Sequence, residues 1–377
     1  MRGKGCVMSG DTSWTERFRI SVAAIAWFVL IGAFLISIPV LLAVSGWTIA
    51  GVFALSCFIA LPIFAVRRYW HRDRPGYSGF TLYLRTALGL GMLLAFLVAL
   101  PVYACAVLVN VRPLTVPKVV LVNGDKTLVL QGMIHIGSEG FYKSIAYDVE
   151  RAIADGYHVR YEGVKPSPGE GDEFLSAYMG GGKMNDQYKS IAGICGLTFQ
   201  VDYFGLLEDH SKKSPEQVIE TDVDSLQLKR EYERLLAVDP QFAASEDMAL
   251  HPKAANENAT ESIASMMKWL HGFSAGQQSV VAILARGFLN YHFSNHERGS
   301  EKEKLILHYR NRFAAGEVLA DKSDKIYVLY GAAHLPGLIE LIRKDDPKWK
   351  VAAISWQRTM LTADEATGSL PGLNVEE

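Results

Sequence analysis

Hydrophobic residues are distributed unevenly along this chain, and their distribution divides it into two parts. Near-continuous apolar runs fill residues 20–44, 47–66 and 84–109. Each run reaches the length of roughly 20 apolar residues that crosses a bilayer as a helix. The pattern therefore predicts a membrane domain over residues 1–111 with three transmembrane helices, followed by a second domain over residues 112–377.

Beyond residue 112, short apolar runs typical of strands alternate with stretches of helical periodicity. Residues 119–122 and 127–134 flank an Asn-Gly-Asp turn and predict a β-hairpin. A helix over residues 139–155 and a strand over 157–164 then complete a β-α-β unit, which is expected to be parallel and right-handed. The pattern thus predicts an α/β domain. Its remaining predicted elements are helices at 173–178, 186–195, 215–236, 302–319 and 338–343, two helices within 257–296, and strands from Ile326 and over 350–356.

Basic residues predict the orientation in the membrane. They precede the first apolar run and surround the loop between the second and third runs, whereas the turn between the first and second carries no charge. The positive-inside rule then places the N-terminus in the cytoplasm and everything after the third span outside, in the periplasm if the cell is bacterial. We therefore expect an integral membrane protein whose partner is the lipid bilayer. The residues concerned are Arg2, Lys4, Arg17, Arg19, Arg67, Arg68, Arg72, Arg74 and Arg85.

The net charge of −2 gives no basic surface that would indicate nucleic-acid binding. The sequence does not predict an oligomeric state.

Two predicted strands end in the same Gly-x-x-His turn, which places His135 and His334 at the ends of strands. Ligands bind at strand ends in open α/β sheets. Glu162 ends the strand expected to lie beside the His135 strand, and Glu139, four residues after His135, is expected to face the same site. Imidazole and carboxylate groups together predict a divalent-metal site or an acid–base site.

Two features remain open at this level. Asp222 and Asp224 either supply a further carboxylate to the site or begin a helix as a cap. Cys195 stands alone in the second domain, and its apolar surroundings predict a small core residue rather than a nucleophile.

These motifs resemble the TraB/TIKI superfamily, which is related to the erythromycin-esterase-like and ChaN-like proteins. The resemblance covers residues 127–357 and rests on both Gly-x-x-His turns, the strand-borne Glu162, the segments 187–189 and 196–200, and Tyr309-Arg310-Asn311-Arg312. The chain differs from the family pattern at Gly163 and Ala333, and its apolar runs precede the domain.

The resemblance implies a mixed β-sheet covered by helices and a tethered, extracytoplasmic role. It further implies a hydrolase, most of all a peptidase, that depends on a divalent metal ion such as Mn, Co or Zn and acts on a peptide or protein. His135, Glu162 and His334 would then hold the metal, and Arg310 would orient a carboxylate or a developing oxyanion. The alternatives are capture of a peptide or haem-like ligand without turnover, and an esterase that uses His135 as a base without metal.

Overall fold

The computed structural model describes residues 14–70, 79–178, 184–250, 265, 268–294 and 299–360. The chain forms two compact units. The first comprises Met1–Cys105 with Phe273–Val280, and the second comprises Ala106–Gly272 with Val281–Glu377. The division thus falls slightly before the predicted boundary at residue 111, and the short segment Phe273–Val280 belongs to the first unit instead of the second.

The first unit contains three long apolar helices, α1 (Trp14–Val44), α2 (Thr48–Trp70) and α3 (Gly79–Val111). All three are long and apolar enough to cross a membrane, which confirms the predicted helices. Even the 23 residues of α2 extend beyond a hydrocarbon core of about 30 Å, at about 1.5 Å per residue. Many of their large apolar side chains are exposed, as expected for surfaces that face lipid.

The second unit is built on a six-stranded mixed sheet, in agreement with the predicted α/β class. Its strand order is β6-β4-β7-β2-β1-β8. The first four of these strands are mutually parallel, and β1 pairs antiparallel with both β2 and β8. The strands are β1 (Thr115–Asn123), β2 (Lys126–Met133), β4 (His158–Tyr161), β6 (Val218–Glu220), β7 (Lys325–Gly331) and β8 (Lys350–Arg358).

The predicted hairpin forms between β1 and β2, where Asn123 pairs with Lys126. Gly124 has a positive φ of 60°, and within the described residues only glycines have a positive φ. The second loop residue, Asp125, therefore has a negative φ, so only the first loop position is left-handed, as in a type II′ turn. The strands β2 and β4 are parallel as predicted, but they are not neighbours because β7 lies between them. The two histidine-bearing strands β2 and β7 are paired directly.

Helices cover both faces of the sheet. On one face lies α4 (Glu139–Ala154), whose buried positions Phe141, Ile145 and Val149 recur at intervals of four residues. Ser138 caps its start, and Gly156 (φ 79°) follows its end. On the other face, α11 (Arg310–Ala320) and α12 (Leu335–Asp345) pack against the side chains of β2 and β7 that point away from α4.

The second unit also contains smaller elements, most of them between β4 and α11. A two-stranded sheet pairs β3 (Ile136–Gly137) with β5 (Thr198–Phe199). The remaining helices are α5 (Glu170–Tyr178), α6 (Met184–Ile194), α7 (Val201–Lys213), α8 (Ser225–Val238), α9 (Pro240–Leu250) and α10 (Ala275–Ser294), with a π-helix at Lys304–Tyr309.

Two sequence predictions need correction here. The range 215–236 is not one helix, because it contains strand β6 and most of α8, and α7 has no counterpart among the predicted helices. A three-residue strand followed by polar residues is too short to give a periodic signal. The helix predicted over 302–319 begins as a π-helix. In the 257–296 prediction, residues 257–264, 266, 267, 295 and 296 lie outside the described residues, and α10 covers residues 275–294. Cys195 is buried among apolar side chains, as predicted.

Candidate functional site

The four parallel strands each deliver one polar side chain to the carboxyl edge of the sheet. In spatial order, Asp222 follows β6, Glu162 follows β4, His334 follows β7 and His135 follows β2. The ends of parallel strands meet at one edge, where open α/β sheets bind their ligands. The structure therefore brings the predicted histidines and Glu162 to one edge and adds Asp222.

Arg310, the first residue of α11, joins three of these groups. Its Nε donates to Asp222 Oδ1 at 3.0 Å, and its Nη2 donates to Asp222 Oδ2 and, at 2.7 Å, to Glu162 Oε1. Its Nη1 lies 3.5 Å from His334 Nε2. Desolvation acts to lower the pKa of Arg310, but the Glu162 and Asp222 carboxylates outweigh it and raise that pKa above its ordinary value. Arg310 is thus a buried, permanent cation that orients two carboxylates.

Glu162 is held in its charged form. Its Oε1 accepts from Arg310, and its Oε2 accepts from the backbone N–H of Gly331 at 2.5 Å. Burial acts to raise the pKa of Glu162, but Arg310, His334 and the Gly331 N–H hold it well below its ordinary value. Such a carboxylate is a weak base at neutral pH and a good ligand or electrostatic partner.

His334 is fixed by an amide from α11. Its Nδ1 lies 2.7 Å from Asn311 Oδ1, so Nδ1 donates and Nε2 is directed toward the cluster, 3.5 Å from Glu162 Oε1. Its side chain is almost fully buried, and its ring meets Tyr330 edge to face, with the ring centroids 5.3 Å apart. Because Arg310 and Asn311 are adjacent, one turn of α11 orients both Glu162 and His334.

Gly337 makes room for Asn311, since a Cβ at this position would overlap Asn311 Nδ2. We expect Gly337→Ala to displace the amide from His334 and to lower the free energy of unfolding by about 1–2 kcal/mol, as for a lost buried hydrogen bond. Unfolding in urea can be followed by labelling of Cys195, whose burial raises its thiol pKa to about 11. The chain used carries serine in place of the other cysteines, at positions 6, 57 and 105, so that only Cys195 is labelled.

Gly316 is the matched control for this substitution. It lies within α11, and a Cβ there meets nothing within 4 Å. Gly316→Ala should raise the free energy of unfolding by about 0.5–1 kcal/mol, because alanine is the better helix former. Equal destabilisation by both substitutions would contradict the role assigned to Gly337.

A second buried charge network fixes the turn that carries Asp222. Arg160 donates to Asp321 Oδ2 at 2.8 Å and to Thr221 Oγ1 at 3.2 Å. The Tyr330 hydroxyl donates to the Thr221 backbone carbonyl. Thr221 is thereby held from two sides, and the position of the adjacent Asp222 follows from it.

His135 lines the site differently from His334. Its side chain is exposed, yet desolvation lowers its pKa, and the charges of Arg310 and His334 act in the same direction while Glu162 opposes them. The imidazole is thus the accessible member of the cluster. The Tyr188 ring is 5.1 Å from it, and Gln200 Nε2 contacts His135 Nδ1 at 2.7 Å. His135 is therefore neutral at pH 7 and held by residues of α6 and the β5–α7 connection.

Glu139 does not join the cluster. It lies on the exposed first turn of α4, where its carboxylate pairs with Lys143 at 3.0 Å. The contacts of Arg310, Glu162 and His334 within the described residues do not include it. The i+4 spacing from His135 predicted a shared face, but the two-residue strand β3 intervenes between His135 and α4, so the helical spacing does not apply.

Three contributors were only partly visible in the sequence. Of the two carboxylates that the sequence offers to the site, Asp222 joins the cluster, whereas Asp224 caps α8. Asn311 and Gln200 stand within segments noted for the family resemblance, without an assigned role. Adjacency to Arg310 was the available signal for Asn311.

The donor types suit a divalent ion, because two imidazoles and a carboxylate form a known metal-ligand set. His334 also has the amide partner on its second nitrogen that is usual for metal-ligating histidines. The three ligands are nevertheless not gathered: among the described residues, no three His, Cys, Asp or Glu side chains lie close enough to hold one ion. Glu162 and His334 are adjacent, and His135 is held by Gln200.

Comparison of the chain with models of known protein families, with curated proteins and with solved structures found no match. A functional proposal therefore rests on the residues and their geometry.

Proposed function

We propose that this chain is a membrane-anchored hydrolase that depends on a divalent metal ion and acts on an extracytoplasmic peptide or protein. The main supporting observation is the charge of the cluster. Arg310 supplies one positive charge against the carboxylates of Asp222 and Glu162, so one negative charge is left beside two imidazoles. A site with this charge and these donors attracts a divalent cation.

In this proposal His135 would leave its contact with Gln200 and join Glu162 and His334 to hold the metal ion. The bound ion would lower the pKa of a water and so supply hydroxide near neutral pH. Glu162 acts as a ligand rather than as a base, because its pKa is far below neutral. Arg310 is a positioning residue: its Nε and Nη2 orient the two carboxylates. His135 is exposed and would be the member of the cluster that substrate reaches first.

Gln200 decides which nitrogen of His135 is available. A carboxamide can present either its oxygen or its nitrogen to an imidazole. With the oxygen toward Nδ1, that nitrogen carries the proton and Nε2 is a free acceptor for a metal or for a proton. In the structure the amide nitrogen of Gln200 faces His135 Nδ1 at 2.7 Å, the orientation that leaves the proton on Nε2, so the proposal requires the amide to be turned with its oxygen toward Nδ1.

The location of the reaction follows from the basic residues that flank the apolar helices. Arg17 and Arg19 precede most of α1, and Arg67 and Arg68 lie in the last turn of α2. Under the positive-inside rule these ends are cytoplasmic and the chain beyond α3 is outside.

A metal-free hydrolase is the second candidate. Arg310 already occupies the cation position between Asp222 and Glu162, and His135 has the lowered pKa of a neutral base. In that case His135 Nε2 would take the proton of a water or hydroxyl nucleophile, and the cluster would orient substrate.

The deciding experiment uses the full chain in detergent micelles. It is stripped with chelator and titrated with Mn²⁺, Co²⁺ or Zn²⁺ while cleavage of a diverse peptide library is followed by mass spectrometry. We expect metal to restore cleavage, and we expect His135→Ala to lower the restored cleavage at least about 100-fold. His210→Gln is the matched control and should leave cleavage unchanged, because His210 lies on α7 and pairs with Glu150 of α4.

The other outcomes separate the alternatives. Cleavage that survives chelation but is lost in His135→Ala overturns the metal role and assigns the metal-free mechanism. Peptide binding without cleavage under any metal overturns hydrolysis and assigns ligand capture.

A further inference from the structure

The strand β8 has an open edge. It is nine residues long and ends the sheet order, and among the described residues no strand pairs with it on the side away from β1. Most of its residues are exposed, including Val351 (43%), Ile354 (55%) and Trp356 (64%). Unpaired backbone groups beside exposed apolar side chains form a template for strand addition.

A β-bulge gathers the apolar side chains of β8 on one face. Val351 pairs with Leu121, Ile354 with Val119 and Trp356 with Pro117, with a register shift between Val120 and Leu121. Directly paired residues point to the same side of a sheet. The alternate residues Val119 and Leu121 are both buried on the face covered by α11 and α12. Val351, Ile354 and Trp356 therefore form an apolar row that continues this face to the sheet edge.

Charge indicates which partner fits this edge. Lys350 and Arg358 stand at the two ends of β8, and the strand contains no acidic residue. A second copy paired antiparallel about Ile354 would set Lys350 opposite Arg358 at both ends, and like charges directly opposite are unfavourable. An extended segment with acidic flanks complements both ends.

The edge leads toward the functional site. Both β8 and β2 pair antiparallel with β1, so they run in the same direction and end at the same carboxyl edge. Directly after β8, the Thr359 carbonyl accepts from the Ser138 backbone N–H at 2.7 Å. Ser138 lies three residues beyond His135 in the chain.

We propose that the open edge of β8 binds an extended, acid-flanked segment of the peptide substrate by strand addition. Naming that segment as substrate rests on the proposed function, whereas the binding itself does not. A strand added beside β8 lies three strand spacings, about 14 Å, from β2, and about four to five extended residues bridge that distance. The substrate would thus be held at β8 and hydrolysed farther along its chain.

Two nine-residue fluorescent peptides test the proposal, each with a Thr-Val-Thr-Val-Thr centre and two glutamates or two lysines at each end. Binding to the full chain in phosphatidylcholine nanodiscs, kept in chelator, is measured by fluorescence anisotropy at low salt. We expect the glutamate-flanked peptide to bind at least about tenfold tighter than its twin. Ile354→Lys should weaken its binding about tenfold or more, because a lysine on an edge strand blocks pairing.

Controls identify the mode of binding. Tyr147→Lys changes an apolar residue on α4 that is at least as exposed as Ile354 and should leave binding unchanged. Protection of Cys195 from labelling verifies that each variant is folded. Methylation of alternate peptide amides should abolish binding in one register and spare it in the other, since a paired strand turns only every second N–H to its neighbour.

Several outcomes would overturn the proposal. These are equal affinity for the two peptides, binding indifferent to Ile354→Lys, or equal effects of both methylation patterns. A dimer that light scattering detects and that Ile354→Lys dissociates would assign the edge to a second copy instead. Because binding is read without turnover, its absence together with metal-dependent cleavage refutes only the docking edge, and binding without cleavage refutes only the hydrolase.

Discussion

Replacement of Arg310 by alanine is expected to lower the free energy of unfolding by about 3–5 kcal/mol, the range for removing one partner of a buried ion pair. The Asp222 side chain is fully buried, and Glu162 is only 21% exposed. Without the guanidinium both carboxylates lose their main counter-charge in a place that water reaches poorly. Urea unfolding followed by Cys195 labelling in the full chain measures this effect.

Arg312 provides the control for this prediction. It lies two residues farther along α11, its side chain is 55% exposed, and it pairs with Glu231 at 3.3 Å. Arg312→Ala should cost no more than about 1 kcal/mol, because the Arg312 side chain is exposed and the buried Glu231 keeps both hydrogen bonds from Arg234. The double substitution of Arg310→Ala with Asp222→Ala should be less destabilising than the sum of the single ones, because it removes the orphaned charge. Additive costs would refute the coupling between Arg310 and Asp222.

The pH dependence of stability follows from the ion pair between Arg310 and Glu162. The folded pKa of Glu162 lies below its ordinary value, which is about 4.3 in the unfolded chain. Its ionisation therefore stabilises the fold fully above that pH, and this contribution disappears as pH falls through the depressed folded value. In Arg310→Ala, desolvation opposes ionisation with less compensation, so the loss should begin at higher pH.

Features carried by local pattern could be predicted from the sequence. The apolar helices, the β1–β2 hairpin and α4 all have continuous signals of composition, turn residues or periodicity. The two Gly-x-x-His turns were visible because each histidine follows a strong apolar strand. Direct pairing of β2 with β7 then brought the ends of these strands together.

The strand order was not predictable in the same way. Sequence neighbours usually pair, which placed Glu162 beside the His135 strand, whereas β7 enters between β4 and β2 from about 160 residues farther along the chain. Long-range pairing depends on which apolar faces complement one another, and a single sequence does not record that. The consequence for the site is that His334, not His135, stands next to Glu162.

The burial of Arg310 and Asn311 was also not predictable from the sequence, because the helix that carries them follows an irregular turn. A π-helix ends at Tyr309 and α11 begins at the next residue, so helical spacing across this junction differs from 3.6 residues per turn. An α-helical pattern drawn through residues 302–319 therefore cannot show which side chains face the sheet. Both residues are buried in the structure.

Replacement of Glu162 by glutamine should reduce catalytic efficiency at least about 100-fold while the chain remains folded. Glutamine has nearly the same shape but no charge. Its one carbonyl oxygen can satisfy only one of the two donors, Arg310 Nη2 and the Gly331 N–H, that the carboxylate now accepts. Arg310 keeps its contacts with Asp222, so the loss falls on the charge of the site more than on the fold.

Glu233→Gln is the matched control for this substitution, since its carboxylate is 57% exposed and pairs with Lys229 on the surface of α8. Peptide cleavage at a series of metal concentrations separates two origins of the loss. If Glu162 is a ligand, the variant should need a higher metal concentration and should recover partly at saturation. If Glu162 only orients Arg310, the metal requirement should stay unchanged. Activity equal to that of Glu233→Gln would place the chemistry away from the carboxyl edge of the sheet.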